Sequence, residues 1–203
     1  MSLTTPICAT QVLAQNPVQH NLPILETARL RLRAPRRGDV KAIARFAGDR
    51  RVAENTARIP HPYGLEDAEQ FIASVNRQDG EATFVVTLDG EAIGFGSVEP
   101  REGGPEIGYW LGVPFWGRGY GTELVRAVID HAFGDLGHDT LVTGARVSNP
   151  ASRRVLEKCG FQWAGVGLYR IRAINSSAPV DRFRLDRGLW ASLKAWGHAK
   201  QVA

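Results

Sequence analysis

Residues 115–125 read FWGRGYGTELV, which sets Gly117, Gly119 and Gly121 at alternate positions directly ahead of a helical pattern: Leu124, Val125, Val128, Ile129 and Ala132. Glycines gathered in such a turn mean that something approaches the backbone closely. The first N–H groups of a helix have no partner within it, so the turn offers free donors to an anion. TLVTGARV (140–147) follows the helix as a strand, and EIGYWLGV (106–113) precedes the turn as another. The glycines therefore sit at the strand-to-helix turn of a β-α-β crossover.

Working outward, ATFVVTLDGEAIGFGSVEP (82–100) reads as a hairpin about Asp89-Gly90, and with residues 106–113 it makes an antiparallel meander. ILETARLRLRAP (24–35) alternates as a first strand, and Asp39 caps a short helix through Phe46. After Pro60 and Pro62, the residues Leu65, Ala68, Phe71, Ile72 and Val75 mark a second amphipathic helix. Beyond the crossover, Asn149-Pro150 opens a helix that runs through Leu156 and stops at Gly160. FQWAGVGLYRIRA (161–173) and VDRFRLDRGLW (180–190) supply the last strands, and a short helix over 191–199 closes the chain. The expected architecture is mixed α/β: a central, mostly antiparallel twisted sheet of about seven strands with one crossover, flanked by about four helices. It occupies residues 24–190, between an N-terminal extension (1–23) and a C-terminal helical tail (191–203).

With 203 residues, 43% of them hydrophobic and 23% charged, the chain has the size of one domain that buries about 70% of its extended surface. Only Cys8 and Cys159 are present, so no disulfide framework is indicated, which suits a reducing cytoplasm. The N-terminus has no basic, apolar leader pattern, and no apolar run approaches the ~18 residues of a membrane span. The net charge of +4 raises the question of nucleic acid. Its arginines are scattered, however: Arg29, Arg31 and Arg33 alternate with leucines, and Arg182 and Arg184 flank Phe183, as on solvated strand faces.

Spacing eliminates two phosphate-binding motifs. A P-loop needs Lys-Ser or Lys-Thr after its last glycine, and none follows here; the dinucleotide fingerprint needs glycine at 122, where Thr122 stands, and an initial parallel unit where this chain has a hairpin. What remains resembles the GNAT superfamily of acetyl-CoA-dependent N-acetyltransferases, whose Q/R-x-x-G-x-G/A motif is matched by Trp116 to Gly121 with Trp116 in the first position. WGRGYGTE is similar to a stretch of the subgroup that acetylates ribosomal-protein N-termini (RimJ/RimL-like). LETARLRLR, PHPYGLEDAEQFI, EIGYWL and NPASRRVLEKCGF extend the likeness over residues 24 to 190.

The resemblance implies that the backbone of Arg118, Gly119, Tyr120, Gly121 and Thr122 holds the CoA pyrophosphate. It implies that the strand from Leu111 to Val113 pairs with the pantetheine arm, and that Asn149 bonds the arm from across the cleft. Transfer to an amine also needs a base to free the nitrogen, a donor for the thioester oxygen and a proton for the departing sulfur. Glu106 matches a strand position used as a base acting through water, though an ordinary exposed glutamate would look the same. The tyrosine commonly found seven residues after Asn149 is replaced by Leu156. The RimL-like pattern has Ser152 instead, either as the group facing sulfur or as a helix-capping hydroxyl. Arg153, Arg154 and Lys158 are left between the CoA 3′-phosphate and solvent, and His61 and Tyr63 fall where relatives shape the acceptor site.

The implied partners are acetyl-CoA and an amine acceptor, with no metal, membrane or nucleic acid, in a cytoplasmic monomer or homodimer. The acceptor is a protein N-terminus or a small amine such as an antibiotic, polyamine or amino acid. A CoA-binding regulator without catalysis is the alternative. Neither cysteine stands where an acyl carrier is expected.

Overall fold

The computed structural model describes residues 22–75 and 82–202, with side chains to residue 196 in the last helix. Eight strands form one sheet in the order β1-β2-β3-β4-β5-β6-β8-β7. They are β1 Leu25–Glu26, β2 Arg31–Arg33, β3 Ala82–Leu88, β4 Glu91–Glu99, β5 Glu106–Leu111, β6 Thr140–Arg146, β7 Gln162–Ile171 and β8 Ser176–Asp186. The helices are α1 Val40–Ala47, α2 Arg50–Ala53, α3 Leu65–Val75, α4 Tyr120–Gly134, α5 Pro150–Lys158 and α6 Arg187–Val202. Every pairing is antiparallel except that of β5 with β6, the two strands joined by α4. This is the mixed α/β architecture expected, with one strand and two helices more than the sequence reading. Cys8 lies outside the described residues; Cys159 is a buried free thiol. Among the described residues no helix is long and apolar enough to cross a membrane, and no cluster of His, Cys, Asp or Glu could hold a metal ion.

Three elements depart from the sequence reading for identifiable reasons. Residues 24–35 are not one strand but a tight β1-β2 hairpin with Leu25 opposite Leu32, because Thr27 turns the chain: its N–H donates to Leu30 O at 2.9 Å and its hydroxyl oxygen accepts the Leu30 amide at 2.9 Å. Asp39 stands at the start of α1 but does not cap it. Its buried carboxylate accepts Arg33 Nη1 and Nη2 at 2.8 and 2.7 Å and the Arg36 amide at 2.8 Å, tying the end of β2 to the helix. The last strand ends at Asp186 and helix begins at Arg187, four residues earlier than the pattern suggested; helical winding lets Leu189 and Trp190 pack on the core and gives the Trp190 indole to Asp130 on α4 at 2.7 Å.

Elsewhere local chemistry specifies local structure. Asp89 and Gly90 both take positive φ (50° and 85°), as a two-residue hairpin turn of the primed type requires. At the end of α5, Gly160 (φ 92°) donates to Glu157 O and Phe161 donates to Leu156 O, a Schellman cap whose apolar contact, Leu156 with Phe161, is part of the main core.

The sheet separates two cores. On one face Ile107 and Leu111 of β5 pack with Leu124, Val128 and Leu156 of α4 and α5; on the other, Ile43, Ala68 and Ile72 of α1 and α3 pack with Val85 and Ala92, and Trp110 joins them. Side chains alternate along β5, so Tyr109 belongs to the α4-α5 face while Glu106, Gly108 and Trp110 belong to the α1-α3 face.

Candidate active site

β5 and β6 pair in register only at Glu106 and Val142, braced by bonds from Val142 N to Pro105 O (2.9 Å) and from Thr143 Oγ1 to Ile107 O (2.8 Å). Past that point each strand keeps only its outer partner: β5 stays on β4 to the Gly94–Leu111 pair, and β6 stays on β8 to the Arg146–Val180 pair. The sheet therefore splits into a wedge between Tyr109–Leu111 and Ala145–Asn149. A cavity of about 1890 Å³ runs through it from the glycine turn to the helices of the opposite face.

At the turn, Gly117 and Gly119 adopt φ values of 73° and 82°, which L side chains rarely take. The Thr122 and Glu123 amides bond back to Gly119 O at 3.1 and 3.2 Å, whereas among the described residues the amides just ahead of them, at the start of α4, have no carbonyl partner. These donors, on a helix N-terminus at the cavity wall, fit a pyrophosphate. The turn is held from outside. Glu123 accepts Thr27 Oγ1 at 2.6 Å, the Arg29 amide at 2.8 Å and Arg29 Nε at 2.8 Å, while Arg29 Nη1 reaches Arg118 O at 3.0 Å and its guanidinium lies over the Tyr120 ring at 4.4 Å. Burial works to raise the Glu123 pKa, but these hydrogen bonds and the Arg29 charge more than offset it and hold the carboxyl below its usual range. Arg29 is thus not one of a row of solvated strand residues. The glutamate of WGRGYGTE and the threonine and arginine of LETAR are two halves of one strut.

Glu123→Ala is expected to release that strut, weakening acetyl-CoA binding several-fold and costing about 1 to 3 kcal/mol of stability. Calorimetry and thermal melts on the variant check both. Because Glu123 titrates low in the folded chain, its contribution is complete above the ordinary carboxylate range and is lost as pH falls through the lowered value.

β5 ends at Leu111 and not at Val113: Gly112 approaches the Phe46 ring so closely that a Cβ would stand 2.7 Å from it, and Val113–Phe115 forms a 3-10 turn. The Leu111 carbonyl accepts the Trp116 indole N–H at 2.7 Å. Trp116, the residue in the first motif position, thereby couples the glycine turn to the strand.

On the α5 side, Asn149 is the N-cap, its Oδ1 accepting the Ser152 amide at 3.1 Å. That settles which residue caps the helix, and Ser152 is free for another partner. Its hydroxyl lies 2.7 Å from the hydroxyl of Tyr109. Burial drives the Tyr109 pKa well up, against the smaller effect of the Ser152 hydrogen bond, so the phenol stays protonated. When Tyr109 donates to Ser152 Oγ, the serine proton is free to point into the wedge. Tyr109 was missed in the sequence; the signal was its phase in EIGYWL, opposite to Glu106. Leu156, at the position where relatives carry tyrosine, is fully buried in the core and does not face the wedge. Cys159 is buried too, its thiol pushed up to about 11 chiefly by desolvation and donating to Thr122 O.

On the α1-α3 side, Glu106 and Glu99 differ sharply. Glu99 is clamped by Arg58 (2.7 and 2.7 Å), Arg101 (2.7 Å) and Ser97 (3.0 Å); burial raises its pKa, yet the partners prevail and its carboxyl titrates low. Among the described residues Glu106 has a single ion-pair partner, Arg101 Nε at 3.6 Å, and burial, opposed by Arg101 and Arg58, raises its pKa. Environments that push two carboxylates apart leave Glu106 as the one suited to proton transfer. Tyr63 packs in the second core, its phenol raised to about 12 by burial. Arg153 is engaged by Glu157 and Asp181, while Arg154 and Lys158 line the cavity.

Known proteins resemble this chain in sequence and in fold. The profile described as "Acetyltransferase (GNAT) domain" matches residues 29–162. An uncharacterized N-acetyltransferase of Bacillus subtilis, YoaA, is 31% identical over 159 residues, covering 71% of this chain and 85% of that one. In fold the chain is similar to a spermidine N-acetyltransferase from Vibrio cholerae solved with CoA and spermine (TM-score 0.69, 22% identity, 81% of this chain and 99% of that one). It is similar also to RimL, a ribosomal L7/L12 α-N-protein acetyltransferase solved with CoA (TM-score 0.70, 18% identity, 81% and 98%). Because the profile spans more than half of the chain and the YoaA likeness covers most of both proteins, this protein belongs to the GNAT acetyltransferase family and is an acetyl-CoA-dependent acyltransferase.

Proposed function

We propose that the chain transfers acetyl directly from acetyl-CoA to the α-amine of a protein, with Glu106 as base and Ser152 as acid. The observation that carries this reading is the placement of the two groups: Glu106 on the α1-α3 face of β5, and Ser152, bonded to Tyr109, on the α4-α5 face about 10 Å further along the strand. The turn at Arg118–Thr122 holds the pyrophosphate, and the pantetheine arm enters the wedge along Tyr109–Leu111 with Asn149 opposite. An ammonium acceptor first loses a proton to Glu106 through water. The neutral nitrogen then attacks the thioester carbon; the carbon–sulfur bond breaks as Ser152, held by Tyr109, passes its proton to sulfur, and the proton that nitrogen sheds as the amide forms returns through water to Ser152. An α-amine, with pKa ~8, asks less of a carboxylate base than an alkyl amine at ~10. The likeness to RimL and the WGRGYGTE stretch support the RimJ/RimL-like assignment. The wide, two-sided cavity accommodates a chain end.

Glu106→Gln tests the base. Turnover should fall most at low pH, where the acceptor is protonated, and the deficit should shrink as pH rises and the amine deprotonates by itself; acetyl-CoA affinity should hardly change. A pH-rate profile parallel to the parent throughout removes Glu106 from the mechanism.

A further inference from the structure

From the charges on the acceptor side of the wedge we infer that the acceptor is an amine carrying a nearby carboxylate, and that Arg146 at the end of β6 binds it. This rests on the reading above and narrows its substrate.

Six guanidiniums line that side of the cavity: Arg58, Arg101, Arg146, Arg172 and, on β8 opposite β6, Arg182 and Arg184. Three are neutralised in place, Arg58 by Glu99, Arg101 by Glu99 and Glu106, and Arg184 by Asp186. Among the described residues the other three have no carboxylate bonded to them, and of these Arg146 is the one with a buried donor left unpaired. Arg146 Nη1 donates to the Glu54 carbonyl, but its Nε is buried without any partner. The Glu54 carboxylate, which lies near enough to feel the Arg146 charge, is bonded to Arg50 at 2.6 Å instead. Arg172 binds the same segment further along, its amide donating to Ala57 O at 3.1 Å and its Nη1 to Arg58 O at 3.3 Å.

A guanidinium has five N–H donors, and one with a donor cut off from water and no carboxylate bonded to it is short of partners. The group that fills such a fork best is a carboxylate, which accepts two parallel bonds. The location also suits an acceptor. Arg146 shares the face of β6 with Val142, the partner of Glu106, and lies about 13 Å beyond it along the strand, where the wedge is open. The thioester site beside Tyr109 lies between the two, so an amine near Glu106 can carry an acidic group toward Arg146. The same charges work against polycations: an acceptor with several ammonium groups would set one of them against Arg146 or Arg172.

The test is a CoA-release assay of kcat/KM on four acceptor sets: peptides with Asp or Glu at the second and third positions, the same peptides with Asn or Gln, the same with Lys, and free amino acids with their amides. The parent should favour acidic peptides at least tenfold over the amide-matched set and should use the Lys set least. In Arg146→Met the acid-to-amide ratio should fall toward one. Arg146→Gln, which keeps an N–H for the Glu54 carbonyl, should lose the same discrimination with an unchanged melting temperature, separating recognition from bracing. If the parent acetylates acidic and amide peptides equally well, or if both variants keep the full preference, the carboxylate subsite is wrong while transfer to α-amines stands. Selective use of free amino acids over their amides, with every peptide refused, would uphold the subsite and overturn the protein acceptor. Turnover confined to polyamines would overturn both.

Discussion

Gly121→Val is expected to weaken acetyl-CoA binding on the order of a hundredfold, about 2.7 kcal/mol, with little loss of fold. Gly121 lies within the first turn of α4, so valine meets no left-handed backbone there, and a Cβ would stand 3.4 Å from Val155 and 4.0 Å from Leu111. The side chain would grow between the walls of the wedge and narrow the path of the pantetheine arm. Gly119→Val should do more damage of a different kind. With φ at 82° and Arg29 Nη2 3.3 Å from the new Cβ, it strains the turn and displaces the Glu123 strut, so stability falls along with binding. Calorimetric titration with acetyl-CoA beside thermal melts separates the two; a Gly121→Val protein that binds like the parent would take the pantetheine arm out of this wedge.

Ser152→Ala should slow transfer on the order of a hundredfold, worth roughly 2 to 3 kcal/mol of a charge-assisted bond in the transition state, while acetyl-CoA binding and melting temperature stay close to the parent. Tyr109→Phe should reduce the same step less, because the serine keeps its own proton and loses only the group that polarises it. The helix cap provides the contrast. Asn149→Ala should cost about 1 kcal/mol of stability, since Asn149 and not Ser152 caps α5. Leu156→Tyr offers no rescue of Ser152→Ala: the leucine is buried among Leu124, Val128 and Phe161, and a phenol there would overpack the core without reaching sulfur. A Ser152→Ala variant that transfers at the parental rate would leave the Tyr109–Ser152 pair as packing.

What the sequence made legible, and what it did not, follows from the range of the interactions. The crossover, the Asp89-Gly90 hairpin and the Gly160 cap are written in residues that sit next to one another, so periodicity and turn chemistry were enough. Partners far apart in sequence were not visible. Thr27 and Arg29 meet Glu123 across 96 and 94 positions, and Tyr109 meets Ser152 across 43. No pattern within either segment announces the other, and the motifs that carry the family resemblance marked the segments without saying that they touch. The misjudged boundaries share a cause. Thr27 hydrogen-bonding bent an alternating run that hydrophobicity alone reads as straight, and Trp190 packing on α4 drew the chain into a helix where residue types suggested strand. Glu106 and Glu99 are both strand glutamates in the sequence; only the arginines folded around Glu99 tell them apart.

Direct transfer across the wedge is the central claim, and one experiment addresses it most simply. The enzyme is mixed with isotopically labelled acetyl-CoA and an acidic N-terminal peptide, quenched within a single turnover, and both protein and peptide are weighed by mass spectrometry. The expected result is one labelled acetyl on the peptide α-amine for each CoA released, with the protein unmodified at every time point. Label appearing first on the protein, at Cys159 or elsewhere, and then passing to the peptide would contradict it.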